Sequence, residues 1–175
     1  MSTQPRLVIF LLIAAIGCAL DLWTKAVVFR WPPGPGARGE WWLVENYVGI
    51  QQALNQGALF GMGQGKVTLF ASLSIAAAAG ICGWVTFGGA LRDRLLMIAL
   101  GLILGGILGN LYDRLGLWGG RTAGGETIYA VRDWILFCYY DYIWPNFNIA
   151  DCLLVVGAAL LGLHAWLTPV SPATT

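Results

Sequence analysis

The sequence predicts an all-α polytopic membrane protein with four transmembrane helices and a small extramembrane β-cradle. Hydrophobic residues make up 58% of the 175 residues and charged residues only 11%, whereas soluble domains usually carry about 25% charge. Four apolar runs approach the ~20 residues that a helix needs to cross a bilayer. We therefore expect one membrane-embedded domain, 1–175, with spans at about 7–28, 67–87, 95–111 and 149–167 and extramembrane segments at 30–65 and 115–148.

The composition also limits the classes of function. The net charge of +1 gives no indication of nucleic-acid binding. The nine tryptophans and six tyrosines fit the aromatic belts of membrane–water interfaces. No two cysteines have the CxxC spacing of a metal or redox site. Cys18 and Cys82 are expected to pack within apolar runs, whereas Cys138 and Cys152 flank a polar segment and could pair.

The first predicted helix begins like a secretory signal, since Arg6 precedes an apolar stretch. No small-x-small cleavage site follows, so we interpret it as a retained helix. Asp21 and Lys25 are four residues apart and share one helical face, where they can form an ion pair. Two alternatives remain open. The pair lies at the interface with a snorkelling lysine, or Asp21 orients a polar site near the outer end of the helix.

The segment after this helix is predicted to form a small extramembrane or interfacial sheet. Its beginning, 31–36, contains three prolines and two glycines and cannot continue a helix. Residues 40–54 are rich in tryptophan, valine and other β-formers with few breakers, which favours short strands. A polar, glycine-containing turn at 55–61 then leads back towards the membrane.

The next two apolar runs, 67–87 and 95–111, contain no charged residue. The second of them carries glycines at positions that allow another helix to approach closely, namely Gly101, Gly105, Gly106 and Gly109. A polar loop, 115–148, follows and includes a flexible glycine-rich tip at 119–126. The last span, 149–167, contains His164, the only histidine, near its far end. A buried or interfacial role is expected for this histidine rather than a catalytic one.

Four spans place both termini on one side of the membrane and the two polar segments on the other. This topology gathers seven polar residues at one face: Asp21, Asn55, Asn110, Asp113, Asp133, Asn148 and Asp151. A simple positive-inside count would place that face in the cytoplasm. Several of the cations counted lie within polar motifs and could be paired, so the charges alone leave the orientation open.

Two of these acids, Asp133 and Asp151, are candidates for chemistry. Ionisable groups at membrane depth are costly and mark functional sites. Two adjacent carboxylates can hydrolyse a peptide, with one as base on a water and the other, protonated, as acid. The sequence has no GxSxG, HExxH or Walker motif, and the lone histidine on the far side argues against a zinc or Ser–His site. A proton relay, a transport path and a non-catalytic scaffold remain alternatives.

Five motifs occur in order along the chain. Together they resemble the lipoprotein signal peptidase (signal peptidase II) family: DLWTK at 21–25, NQGALF at 55–60, GGILGNLYDR at 105–114, VRDWI at 131–135 and PNFNIAD at 145–151. The resemblance implies a four-helix aspartic endopeptidase of the inner membrane with a small extramembrane sheet. Such enzymes remove the signal peptide from prolipoproteins, cutting before a cysteine that already carries diacylglycerol.

The resemblance also implies partners and orientation. The partners are the lipid-modified prolipoprotein, membrane lipid and globomycin-type inhibitors, without a metal or other cofactor, and the protein is expected to be a monomer. Both termini would be cytoplasmic and the active site would face the periplasm, which conflicts with the charge count above.

Carried over motif by motif, the catalytic pair is Asp133 and Asp151. The resemblance places five residues around the substrate: Asn55, Gly57, Asn110, Arg114 and Asn148. It makes Asp21, Lys25 and Asp113 supporting polar contacts, and the tryptophan-rich segment from Trp41 a cradle over the site.

The chain departs from the family pattern in three places. Arg132 and Trp134 flank Asp133, where the family usually has Val-Val-Asp-Phe. The spacing from Asp113 to Asp133 is longer than usual because of the glycine-rich insertion. Cys152 follows the last aspartate in place of a common serine. Asp141 is another acid in the same loop, but Asp133 is preferred because apolar neighbours could anchor it at the interface.

Overall fold

A computed structural model describes residues 3–57, 63–140 and 142–168. These residues form four α-helices, all long and apolar enough to cross a membrane: α1 Thr3–Val28, α2 Val67–Phe87, α3 Arg94–Arg114 and α4 Ile149–Leu167. The same described part of the chain contains four strands: β1 Trp41–Val44, β2 Val48–Asn55, β3 Val131–Tyr139 and β4 Tyr142–Phe147. The predicted fold class, four membrane helices with a small sheet, is confirmed.

The strands form one antiparallel sheet in the order β1-β2-β3-β4. Residues 115–148 were predicted to be a loop, but they contain β3 and β4 and so supply half of the sheet. Pro145 obscures the strand pattern of β4, yet β4 is an edge strand, where a residue without a backbone N–H is tolerated. The register pairs Ala53 with Asp133 and Asn55 with Val131, so β2 delivers Asn55 beside the strand that carries Asp133.

Helix α3 is the most buried of the four and packs between α1 and α4. A Cβ on Gly105 would lie 2.9 Å from the carbonyl oxygen of Ala14 in α1, and a Cβ on Gly106 would lie 2.6 Å from that of Ala150 in α4. These glycines therefore permit the close approach that their spacing predicted. The packing brings the polar end of α3 against the polar ends of both neighbours.

The opposite end of the bundle holds the beginning of α1, the end of α4 and a short 3₁₀ turn at Ala90–Arg92. The guanidinium of Arg6 donates hydrogen bonds to the carbonyl oxygens of Leu91 and Arg92. Nε2 of His164 lies 3.7 Å from Oδ2 of Asp93, and the His164 side chain is partly buried, as expected. All four cysteines are free thiols, so Cys138 and Cys152 do not pair.

Candidate active site

The two candidate catalytic acids come from different elements that meet at the polar end of the bundle. Asp133 lies in β3 and is almost fully buried. Asp151 lies in the first turn of α4, where it forms a capping box with Asn148. Asn148 Oδ1 accepts the Asp151 N–H at 3.0 Å, and Asp151 Oδ2 accepts the Asn148 N–H at 3.1 Å. The cap fixes the Asp151 carboxylate at the helix start.

Asn148 also connects the two acids. Its side-chain Nδ2 donates to Asp133 Oδ1 at 2.6 Å and to Asn110 Oδ1 at 3.1 Å. Asn110, from α3, in turn donates its Nδ2 to Asp151 Oδ1 at 2.9 Å. Each carboxylate is thus held by an asparagine, and the two asparagines bond to each other. This chain of amides places Asp133 and Asp151 in one continuous hydrogen-bond network.

The second oxygen of Asp133 is held from β2, because Asn55 Nδ2 donates to Asp133 Oδ2 at 3.1 Å. The Asn55 Oδ1 accepts the Gly57 N–H at 2.9 Å, which orients the asparagine amide. The Gly57 carbonyl oxygen accepts a hydrogen bond from Arg114 Nη2 at 3.2 Å. Residues 58–62 and Asp141, the alternative acid, lie outside the described residues.

The predicted supporting residues form a buried ionic cluster beneath the acids. Lys25 Nζ lies 2.7 Å from Asp21 Oδ2 and 3.1 Å from Asp113 Oδ2, and it donates to Asn110 Oδ1 at 2.9 Å. The side chains of Asp21, Lys25 and Asp113 have no solvent exposure. The interfacial, snorkelling alternative for the Asp21–Lys25 pair is therefore wrong. Asp21 Oδ1 instead accepts the Ala150 N–H at 2.9 Å and so orients the first turn of α4.

The environment of Asp133 favours its protonated form. Burial, and after it the negative charge of Asp151, raises the pKa of Asp133 to about 7 from an ordinary value of 3.8. Hydrogen bonds from Asn55 and Asn148 and the charge of Lys25 oppose this rise without cancelling it. A carboxyl group that retains its proton near neutral pH can act as a general acid.

A cavity of about 530 Å³ opens onto both acids. Its polar wall includes the side chains of Asn55, Asn110 and Arg114, whereas Gly57 and Asn148 are buried beside it. Its apolar wall consists mainly of residues from β3, β4 and α4: Val131, Phe137, Trp144, Phe147, Val155 and Val156. Trp41, expected as part of the cradle over the site, is absent from the described lining because β1 lies at the opposite edge of the sheet.

We expect Lys25→Met to destabilise the fold by about 3–5 kcal/mol, because it leaves the buried carboxylates of Asp21 and Asp113 without their shared cation. Thermal unfolding of the purified protein in detergent measures this loss. Lys66→Met, which removes an exposed lysine, is the matched control and should unfold like the wild type. Equal stability of Lys25→Met and wild type would contradict a structural role for the cluster.

Comparison with known proteins gives a consistent result. The family described as Signal peptidase (SPase) II matches residues 13–167. A lipoprotein signal peptidase from Rhodopirellula baltica is 47% identical over 168 residues, covering 95% of this chain and 75% of that protein. Another from Geobacillus thermodenitrificans is 38% identical over 162 residues, covering 91% and 90%.

Two solved structures, both described as bacterial membrane enzymes studied by the in meso method, share the fold. One has a TM-score of 0.72 at 24% identity and covers 93% of this chain and 94% of that one. The other has a TM-score of 0.70 at 26% identity, with coverage of 92% and 94%. The family match covers most of the chain, and the described residues include four helices long and apolar enough to cross a membrane, so this chain belongs to the signal peptidase II family.

Proposed function

We propose that the protein is an aspartic endopeptidase that removes the signal peptide from diacylglyceryl-modified prolipoproteins, cutting before the lipidated cysteine. One observation carries the proposal. Asp133 and Asp151 belong to one hydrogen-bond network and both line the same largely apolar cavity. The names of the relatives, lipoprotein signal peptidases, supply the class of substrate.

The two acids take different roles in this mechanism. Two neighbouring carboxyl groups hold one proton between them, because both cannot ionise at close range. Asp133 keeps the proton, in keeping with its raised pKa of about 7. Asp151 carries the charge, since the N-terminus of α4 and the N–H donors of Asn110 and Asn148 stabilise a carboxylate there. Asp151 is thus the base and Asp133 the acid.

Hydrolysis then proceeds by proton transfers between these groups. Asp151 takes a proton from a water, whose oxygen attacks the carbonyl carbon of the scissile peptide. Asp133 gives its proton to the carbonyl oxygen, which forms a neutral tetrahedral diol. The diol collapses as Asp151 protonates the departing amine and Asp133 recovers a proton from a diol hydroxyl. Both acids return to their starting states, so no metal or other cofactor is required.

The apolar and polar walls of the cavity suit the apolar groups and the peptide backbone of the proposed substrate, respectively. The apolar wall, which includes Phe137, Trp144 and Val155, would contact acyl chains and apolar signal-peptide side chains. Arg114 and Asn55 on the polar wall would bind backbone carbonyls of the substrate. Hydrogen bonds of Gly57 to both residues, and of Asn148 to Asn110, would keep the polar side chains in place. Globomycin-type inhibitors would occupy the same cavity. In this proposal the enzyme is a monomer in the inner membrane, with cytoplasmic termini and a periplasmic site.

A cleavage assay in detergent with added phospholipid tests the reaction. The purified protein is incubated with a prolipoprotein that carries diacylglycerol on its cysteine, and in parallel with the unmodified precursor. We expect a gel shift for the modified substrate only, unchanged by a metal chelator and blocked by globomycin. Failure of the folded protein to cut the modified substrate would overturn the proposed function, and equal cleavage of both substrates would overturn the lipid requirement.

The pH dependence follows from the proposed roles. Asp133 must be protonated, so kcat/KM should fall as pH rises through its pKa of about 7, approaching tenfold per pH unit on the alkaline side. Because the two acids interact, the apparent pKa measured from this alkaline fall in kcat/KM is a property of the Asp133–Asp151 pair. Measurement of kcat/KM from pH 5 to 9 checks it, with Glu126→Gln, an exposed acid, as the control that keeps the profile. A flat profile between pH 6 and 9 would contradict Asp133 as the acid.

A further inference from the structure

Arg132 lies next to the proposed catalytic Asp133 but outside the cavity lining. Its side chain is almost fully buried and contacts Asp113 of α3. Nε and Nη2 of Arg132 donate to Asp113 Oδ1 at 3.1 and 2.8 Å. The Arg132 backbone N–H donates to the other oxygen, Oδ2, at 3.0 Å. Asp113 therefore binds both the side chain and the main chain of the residue that precedes Asp133.

These contacts attach the start of β3 to α3. The other side of the strand is held by β2, where Leu54 pairs with Arg132 and Ala53 with Asp133. Pairing with β2 fixes β3 to its neighbouring strand. The three hydrogen bonds between Arg132 and Asp113 attach the same point of β3 to α3, at the position adjacent to the acid.

The same cluster also locates Asp151. Lys25 bridges from Asp113 to Asn110, and Asn110 donates to the Asp151 carboxylate. The attachment of β3 and the attachment of α4 thus converge on one buried group of charges. Two cations, Lys25 and Arg132, balance the two acids Asp21 and Asp113 within it, so each buried charge lies beside an opposite charge.

Aromatic rings from outside the helical bundle cover the Arg132 guanidinium. Its central carbon lies 5.0 Å from the ring centroid of Trp118 and 5.9 Å from that of Phe29. The two rings contact each other edge to face, with centroids 6.2 Å apart. Trp118 belongs to the segment between α3 and β3 that contains the glycine-rich insertion. Rings at these distances attract the cation and keep water from the Arg132–Asp113 pair. The exclusion of water strengthens the attraction between the two charges.

We propose that Arg132 is a positioning residue: by fixing β3 to Asp113 under the cover of Trp118, it holds Asp133 at the working distance from Asp151. The inference rests on the proposed function and adds a role for the segment between α3 and β3. Arg132 does not touch the cavity, so its loss should affect the chemical step rather than substrate binding. A small displacement of a catalytic group can cost on the order of 100-fold in rate.

The test compares Arg132→Met, Arg132→Lys and wild type in the cleavage assay with the diacylglyceryl-modified substrate. Rates are normalised to the folded protein that elutes as a single species in size-exclusion chromatography. Arg121→Met is the matched control, since Arg121 is an exposed arginine of the same segment whose side chain bonds only to Gly125 and Thr127 among the described contacts. It should leave both kcat and KM unchanged.

We expect Arg132→Met to lower kcat by roughly 10- to 100-fold with KM within about twofold of wild type. Arg132→Lys, which keeps the charge but not the planar group with several donors, should restore part of kcat. A merely structural role would instead reduce the amount of folded protein and leave its kcat unchanged. If Arg132→Met does not fold, the kinetics of Arg132→Lys provide the test. A reduced kcat with unchanged KM in that variant supports the proposal.

Different results would contradict the positioning role of Arg132 and the proposed function of the protein. An active wild type with unaltered kcat in folded Arg132→Met, or in Arg132→Lys where the first does not fold, overturns the positioning role and leaves the proposed function intact. A changed KM with constant kcat overturns it as well, because that result assigns Arg132 to substrate binding. An inactive wild type overturns the proposed function and the positioning role together.

Discussion

Asp133→Asn should reduce cleavage of the modified prolipoprotein by about 10³-fold or more, because an amide cannot deliver the proton to the scissile carbonyl. The substitution preserves the size of the side chain. It also keeps an oxygen that can accept from Asn148 or Asn55, the two residues that bond to Asp133. The loss should therefore appear in kcat measured on folded protein, and residual turnover at a tenth of the wild-type rate would remove Asp133 from the catalytic pair.

The same variant has a distinctive stability. The folded-state pKa of Asp133, about 7, lies above the ordinary value of 3.8, so the folded state binds more protons across that interval. Wild-type stability consequently falls as pH rises through this window, and an asparagine has no such loss. The free energy of unfolding of Asp133→Asn, relative to that of wild type, should therefore rise between pH 5 and pH 8. Asp141→Asn is the control for activity and should cleave normally, whereas an inactive Asp141→Asn would move the pair to Asp141.

Much of this fold could be predicted because its strongest signals are local. Runs without charge define α2 and α3, and the glycines of α3 predict its close contacts with α1 and α4. The topology of four spans was sufficient to bring polar residues from distant motifs to one end of the bundle. Asp133 and Asp151 meet at that end because both lie in polar segments on the same side of the predicted spans, although the segment that carries Asp133 was expected to be a loop and forms β3.

The remainder depends on contacts between residues far apart in the chain. Whether Lys25 snorkels or is buried is decided by Asp113 and Asn110, which lie in another helix. Arg132 carried no predicted role because its partner Asp113 is 19 residues away in a different element. A long side chain within a polar motif usually indicates solvent exposure, and only the aromatic cover and the paired acid show otherwise. In the sequence, the available indication of a role for Arg132 was its position as a charged residue immediately beside a candidate catalytic acid.

Asp151→Asn should also abolish cleavage, by about 10³-fold or more, because the base that activates water is lost. The substitution should also lower the stability of the fold. Asp151 accepts one N–H on each oxygen, from Asn110 and from the Asn148 backbone, and an asparagine offers only one acceptor oxygen. One donor then faces an NH₂ group, which should cost about 1–3 kcal/mol in the free energy of unfolding.

Asp93→Asn supplies the matched control for this second effect. Asp93 caps the start of α3 by accepting the Leu96 N–H at 2.8 Å, at the end of the bundle away from the cavity. Asparagine caps a helix as well as aspartate does, and the partly exposed contact of Asp93 with His164 contributes little, so both stability and cleavage should be retained. If Asp151→Asn were as stable as Asp93→Asn while inactive, the capping box would contribute nothing to the fold. If it retained activity, the base would have to be another group, and the two-carboxylate mechanism would fail.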